Sequence, residues 1–142
     1  MKKILIILMI LSVFFDFSVT LWGQPGKYWQ GGDPNEENPI GVFLLTKHPL
    51  YFILFTIPWV LFLAIGIKWL VFPLDFIFGM GIIAGHLLAA SSWIPKVFPV
   101  LPSPKIYFLF SKGAPEWYLG GLFILLIFLI QLALKILKKK KG

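Results

Sequence analysis

Apolar residues in this chain come in long unbroken runs, not in the alternation of a half-buried strand or the one-sided stripe of a soluble helix. About 20 apolar residues, rising 1.5 Å each, cross a hydrocarbon layer of about 30 Å. Four runs reach that length, at residues 4–22, 50–72, 75–94 and 117–137. The first two are separated by residues 23–38, a polar stretch with Pro25-Gly26, Gly31-Gly32 and Asp33-Pro34, which reads as a loop. A short apolar segment, 39–47, follows. Asn38 is placed to cap it, Pro39 suits its first helical position, and Lys47-His48-Pro49 breaks it. Too short to span, this helix is expected to be interfacial or re-entrant. Residues 95–116 hold prolines 95, 99, 102, 104 and 115 and so read as a second loop, whose aromatic middle, Ile106 to Phe110, suits the membrane surface. The pattern predicts an all-α integral membrane protein: a bundle of four transmembrane helices plus one short interfacial helix, in a single domain spanning 1–142 without internal repeats.

Within this plan the third run is the centre. His86 sits near its middle, and Gly81, Gly85 and Ala89 recur every fourth residue, a spacing that lets another helix approach closely. Only Pro73-Leu74-Asp75 separates it from the second run, which predicts a tight antiparallel hairpin with Asp75 as helix cap. Pro58 is expected to kink the second run. The first run follows Met1-Lys2-Lys3, as a signal peptide would. It contains Asp16 and ends in Thr20-Leu21-Trp22, a poor cleavage site, so it is expected to be retained as a helix. Ser12, Asp16 and Thr20, spaced by four, share one face that should point into the protein.

Composition agrees with the pattern. The chain is 58% hydrophobic, with a mean hydropathy of +0.87, against about 45–50% apolar residues in soluble domains. The net charge of +7 does not point to nucleic acid, because the lysines sit at the ends of apolar runs, where they anchor helices at headgroups. With an internal amino terminus, Lys2, Lys3, Lys68, Lys135 and Lys138 to Lys141 lie inside, and Lys27, Lys47, Lys96, Lys105 and Lys112 outside. The eight-to-five bias obeys the positive-inside rule and puts both termini in the cytoplasm of a multi-pass cell-membrane protein. Trp22, Tyr28 and Trp29 suit the opposite headgroup layer. There is no cysteine, which excludes disulfides and thiolate chemistry.

An ionisable residue inside a span points to function unless it has a partner. Asp16 and His86 lie six and eight residues before the outer ends of their runs, roughly 9 to 12 Å deep, and so are able to meet. Three readings follow: a structural contact between two helices, a proton or ion relay, or a metal or catalytic site supplemented by Glu36, Glu37 or His48. A divalent metal would fall to Asp16, Glu37 and His86, although no spacing matches a metal signature. The acidic turn Asp33 to Asn38 lacks the glycine and distal glutamate of an EF-hand. Gly79-Met-Gly81-Ile-Ile-Ala84 has dinucleotide-fingerprint spacing but follows no strand. Ser91 and Ser92 either line a polar pocket near His86 or satisfy backbone, and Gln131 is expected to bond across to another helix. No hydrolase motif occurs, and no residue is assigned a catalytic role.

Asp16 with Thr20, then Glu37-Asn38-Pro39, then Gly85-His86, resembles a family of small prokaryotic multi-pass membrane proteins of unknown function, over roughly residues 12–95. The resemblance implies a compact helical bundle and no particular reaction. The residues themselves favour a small non-enzymatic component that associates with itself or with other membrane subunits. A small proton- or ion-transport oligomer using Asp16 and His86 ranks second, and a membrane-embedded metal-dependent hydrolase third.

Overall fold

The computed structural model describes residues 2–36, 38–97 and 116–140. These residues form five α-helices and no strand: α1 (Lys2–Trp22), α2 (Pro39–Lys47), α3 (Pro49–Trp69), α4 (Leu74–Val97) and α5 (Glu116–Lys140). A 3-10 turn, Tyr28–Gln30, interrupts the first loop. Three stretches, Lys2–Trp22, Pro49–Trp69 and Leu74–Ile94, are long and apolar enough to cross a membrane, while the apolar part of α5, Gly120–Leu134, is shorter.

Local chemistry explains the boundaries that differ from expectation. The second run was to reach 72, but α3 stops at Trp69 because Leu70 turns to extended backbone, and Pro73 holds the residue before it out of helix as well. The third run continues through Pro95 to Val97. Pro95 has no N–H to give the Ser91 carbonyl, and α4 runs only two residues beyond it. α5 extends through Lys138–Lys140, lysine being a good helix former. Pro58 lies within a continuous α3. The rest of the expected second loop, 98–115 with its aromatic middle, lies outside the described residues, as do Glu37 and Lys141.

α4 packs chiefly on α1, and the two run in the same direction: Lys2 meets Asp75, and Gly23 meets Trp93. α3 returns antiparallel alongside both. Leu5, Met9 and Val13 of α1 make a buried core with Leu63 and Ile67 of α3, Phe78 and Ile82 of α4, and Ile127 of α5. Outside the core, Ile7, Leu11, Ile57, Ile65, Leu87 and Leu125 are exposed. Helices that are apolar all round, with their backbone bonds made internally, suit hydrocarbon surroundings.

One end of the bundle is tied by Lys2. Its Nζ donates to the carbonyls of Leu70 (2.6 Å) and Lys68 (3.3 Å) and lies 3.4 Å from Asp75 Oδ2. The last carbonyls of a helix have no intrahelical donor, so a cation there satisfies them and also suits the negative end of the dipole. Gln131 of α5 approaches the Trp69 carbonyl between them (Nε2 to O, 3.5 Å), which is the cross-helix contact expected of it, and its buried Oε1 has no hydrogen-bond partner among the described residues. Asp75 does not cap α4. The helix begins one residue earlier, and the carboxylate lies in its first turn, accepting from Phe76 N (2.9 Å) and facing Lys2.

Candidate functional site: a polar clasp of three helices

Met9, Ser12, Val13, Asp16, Val19 and Thr20 line the buried face of α1, so a four-and-three spacing carries Asp16 into the seam with α4. On α4 the matching seam runs through Gly79, Ile82, His86, Ala90 and Trp93. At both ends of this seam a glycine receives a large side chain. A Cβ on Gly79 would lie 2.5 Å from Leu5, and one on Gly23 would lie 2.5 Å from Trp93. These close approaches bring the helices together, and between them His86 Nδ1 meets Asp16 Oδ2 at 2.7 Å. The two side chains retain 15% and 12% of their exposure, so little solvent screens the contact.

The third member is Trp59 of α3. Its indole Nε1–H donates to His86 Nε2 at 3.2 Å. Phe55, Trp59 and Phe62, at i, i+4 and i+7, form a stacked ladder that sets the indole plane, with centroids 6.4 and 5.7 Å apart. Phe17 stacks on Phe52 at 4.5 Å beside the imidazole. The indole can only donate, so Nε2 must be the lone-pair nitrogen, and the ring proton therefore sits on Nδ1 and is given to Asp16. The hydrogen-bond network thus assigns a neutral imidazole with both nitrogens engaged by the chain's own groups.

The remaining candidates divide. Ser12 is buried on the Asp16 face, but its hydroxyl donates to the Met9 carbonyl (2.9 Å). Thr20 is buried one turn further along, and its carbonyl accepts from Gln24 Nε2 (3.2 Å). Gln24 Oε1 in turn accepts from Asn35 N (2.9 Å), which ties the loop to the end of α1. Ser92 does not belong to the site: its hydroxyl donates to the Ala89 carbonyl at 2.7 Å, the usual local bond of a helical serine. Of the expected packing residues, Gly81 lies under Phe123 of α5, where a Cβ would come within 2.5 Å, and Ala89 is half-buried. Gly85 is exposed and no described side chain approaches it, so it is not a contact point among the described residues. The seam to α1 runs one face over, through Gly79 and Ala90.

The loop candidates serve the backbone. Asn38 Oδ1 caps α2, accepting from Ile40 N (2.9 Å) and Gly41 N (3.5 Å). Glu36 Oε1 accepts from Asn38 N (2.9 Å). His48 Nδ1 accepts from Leu50 N (3.1 Å) and so caps α3. None of them joins Asp16 and His86, and no group of three His, Asp or Glu converges among the described residues. A metal on His86 would have to displace either Trp59 from Nε2 or the Asp16 bond from Nδ1.

Trp59 and Gln24 are the residues that sequence reasoning misses. A tryptophan ten residues into an apolar run is far from the interfacial belts, and its N–H needs an acceptor there, which is the one sequence signal for a polar partner, though it does not say which. No family model, curated protein or solved structure matches this chain.

Proposed function

We propose that the protein is a small multi-pass integral membrane component that works by association, with copies of itself or with other membrane subunits, and turns over no substrate. In this reading α5 is a fourth crossing, the lysine bias holds both termini in the cytoplasm, and the resemblance to small prokaryotic membrane proteins over residues 12–95 marks its kin. The observation that carries the reading is the engagement of both imidazole nitrogens. Asp16 takes Nδ1 and Trp59 takes Nε2, and two open grooves, between α1 and α4 and between α3 and α5, are lined almost wholly by apolar side chains. An intramembrane histidine with both nitrogens held by neighbouring helices acts as a joint between them.

A second reading retains support from one feature: Asp16 and His86 are a titratable pair in contact, as a proton relay requires. Two measurements separate the readings. Sedimentation of the full chain in mild detergent is expected to give a discrete multiple of the chain mass, and liposomes containing it are expected to hold a proton gradient. A proton leak abolished by Asp16→Asn would instead establish transport, whatever the oligomeric state.

A further inference from the structure

The short helix α2 presents two unlike faces. Gly41 and Leu45 are buried against Phe52 of α3, while Ile40, Phe43 and Lys47, at i, i+3 and i+7, are exposed. Ile40 is 55% and Phe43 62% exposed, and Trp29, next to the Tyr28 that bonds α2, is 56% exposed. The helix is fixed to the bundle by a specific bond. The Leu45 carbonyl would normally accept from residue 49, but that residue is Pro49 and has no N–H, so the Tyr28 hydroxyl donates to it at 3.1 Å. Tyr28 also meets Trp29 edge-on at 5.0 Å. The exposed apolar stripe is therefore held rigidly between the end of α1 and the start of α3.

We propose that the Ile40–Phe43 stripe of α2, with Trp29, is a docking surface for the lipid headgroup–acyl boundary, so that α2 lies in the plane of the interface and does not dip into the hydrocarbon. This rests on the membrane reading above. Three observations select lipid at that depth. Both ends of α2 are polar and exposed, with Asn38 at one end and Thr46, Lys47 and His48 at the other, and hydrocarbon gives such groups no partners. The exposed apolar side chains between them, Ile40 and Phe43, share one face, opposite the buried Gly41 and Leu45. Lys47 reaches back over the Phe43 ring at 5.9 Å, placing its ammonium beside the stripe, where phosphates would lie. Tryptophan and phenylalanine flanked by lysine is the composition that settles at that boundary.

Because the chain has no cysteine, single nitroxide labels report depth without background. Phe43→Cys and, as an independent reporter, Ile40→Cys are labelled in the full chain in phosphatidylcholine vesicles, with Leu11→Cys, exposed midway along α1, as the depth reference. Collision rates with oxygen and with a water-soluble nickel chelate give the depth. The expected result is Leu11 near the bilayer centre, and residues 40 and 43 about 5–10 Å into the headgroup–acyl boundary. Residues 40 and 43 as deep as Leu11 would mean a re-entrant helix and overturn the proposal. So would nickel-accessible labels, which mean water, or labels shielded from both reagents, which mean a protein partner. A nickel-accessible Leu11 would instead overturn the membrane reading itself, and this proposal with it.

Discussion

At the scale of single residues, the chemistry of the clasp follows from Trp59 being a donor without an acceptor site. That one property fixes the tautomer of His86 and the direction of both hydrogen bonds. Trp59→Phe would keep the ring ladder with Phe55 and Phe62 and remove only the N–H. Hydrogen bonds between membrane helices average about 0.6 kcal/mol, so a loss of about that size is expected in a detergent unfolding titration. His86→Ala is expected to cost more, about 1–3 kcal/mol, because it strands a buried carboxylate and a half-buried indole N–H together. At Tyr28, burial pushes the phenol above its ordinary range. The neutral hydroxyl that serves the Leu45 carbonyl is therefore favoured in the folded chain. Its contribution is intact below the ordinary phenol range and lost as the pH climbs through the raised one. Tyr28→Phe is expected to loosen α2, seen as faster amide exchange at Pro49's neighbours, and to leave the clasp unchanged.

At the scale of elements, the α1–α4 seam depends on glycines that a repeat count alone does not select. Gly81, Gly85 and Ala89 form a visible four-residue series, but two partners compete for α4. α5 takes Gly81 through Phe123, and α1 takes Gly79 through Leu5. Spacing reports that a helix carries small residues, whereas the identity of the partner decides which of them are used. The same substitution therefore has opposite expectations two turns apart. Gly79→Ala is expected to destabilise by about 1–3 kcal/mol through overpacking against Leu5, and Gly85→Ala to stay within about 0.5 kcal/mol. Thermal unfolding of the two variants in one detergent checks the pair. The joint depth of Asp16 and His86 was legible because helical rise converts sequence position to height. Trp59 was not, because its role depends on α3 running back alongside both other helices with its indole turned toward His86.

At the scale of the whole molecule, three helices long and apolar enough to cross a membrane pack side by side with large apolar side chains exposed, and the described side-chain bonds that join separate elements gather at the clasp, the Lys2 tie and the loop end. Length and hydropathy suffice to read such a layout, since hydrocarbon permits little except helices with internal backbone bonds. The Lys2 tie was hidden from sequence because a lysine at the head of an apolar run looks like a topology signal alone, yet its ammonium also closes the end of α3. Lys2→Met is expected to lower stability by about 1–2 kcal/mol in the same assay, since it leaves the Leu70 carbonyl and Asp75 without their cation. The association proposed for the protein requires these internal joints to be self-sufficient, and the decisive one is the imidazole. The most direct measurement is the nitrogen NMR spectrum of His86 in bilayers at neutral pH. The account predicts a neutral ring protonated at Nδ1, with Nε2 unprotonated and correlated through space to the Trp59 indole proton. A ring protonated at Nε2, whether as the other tautomer or as imidazolium, would contradict it.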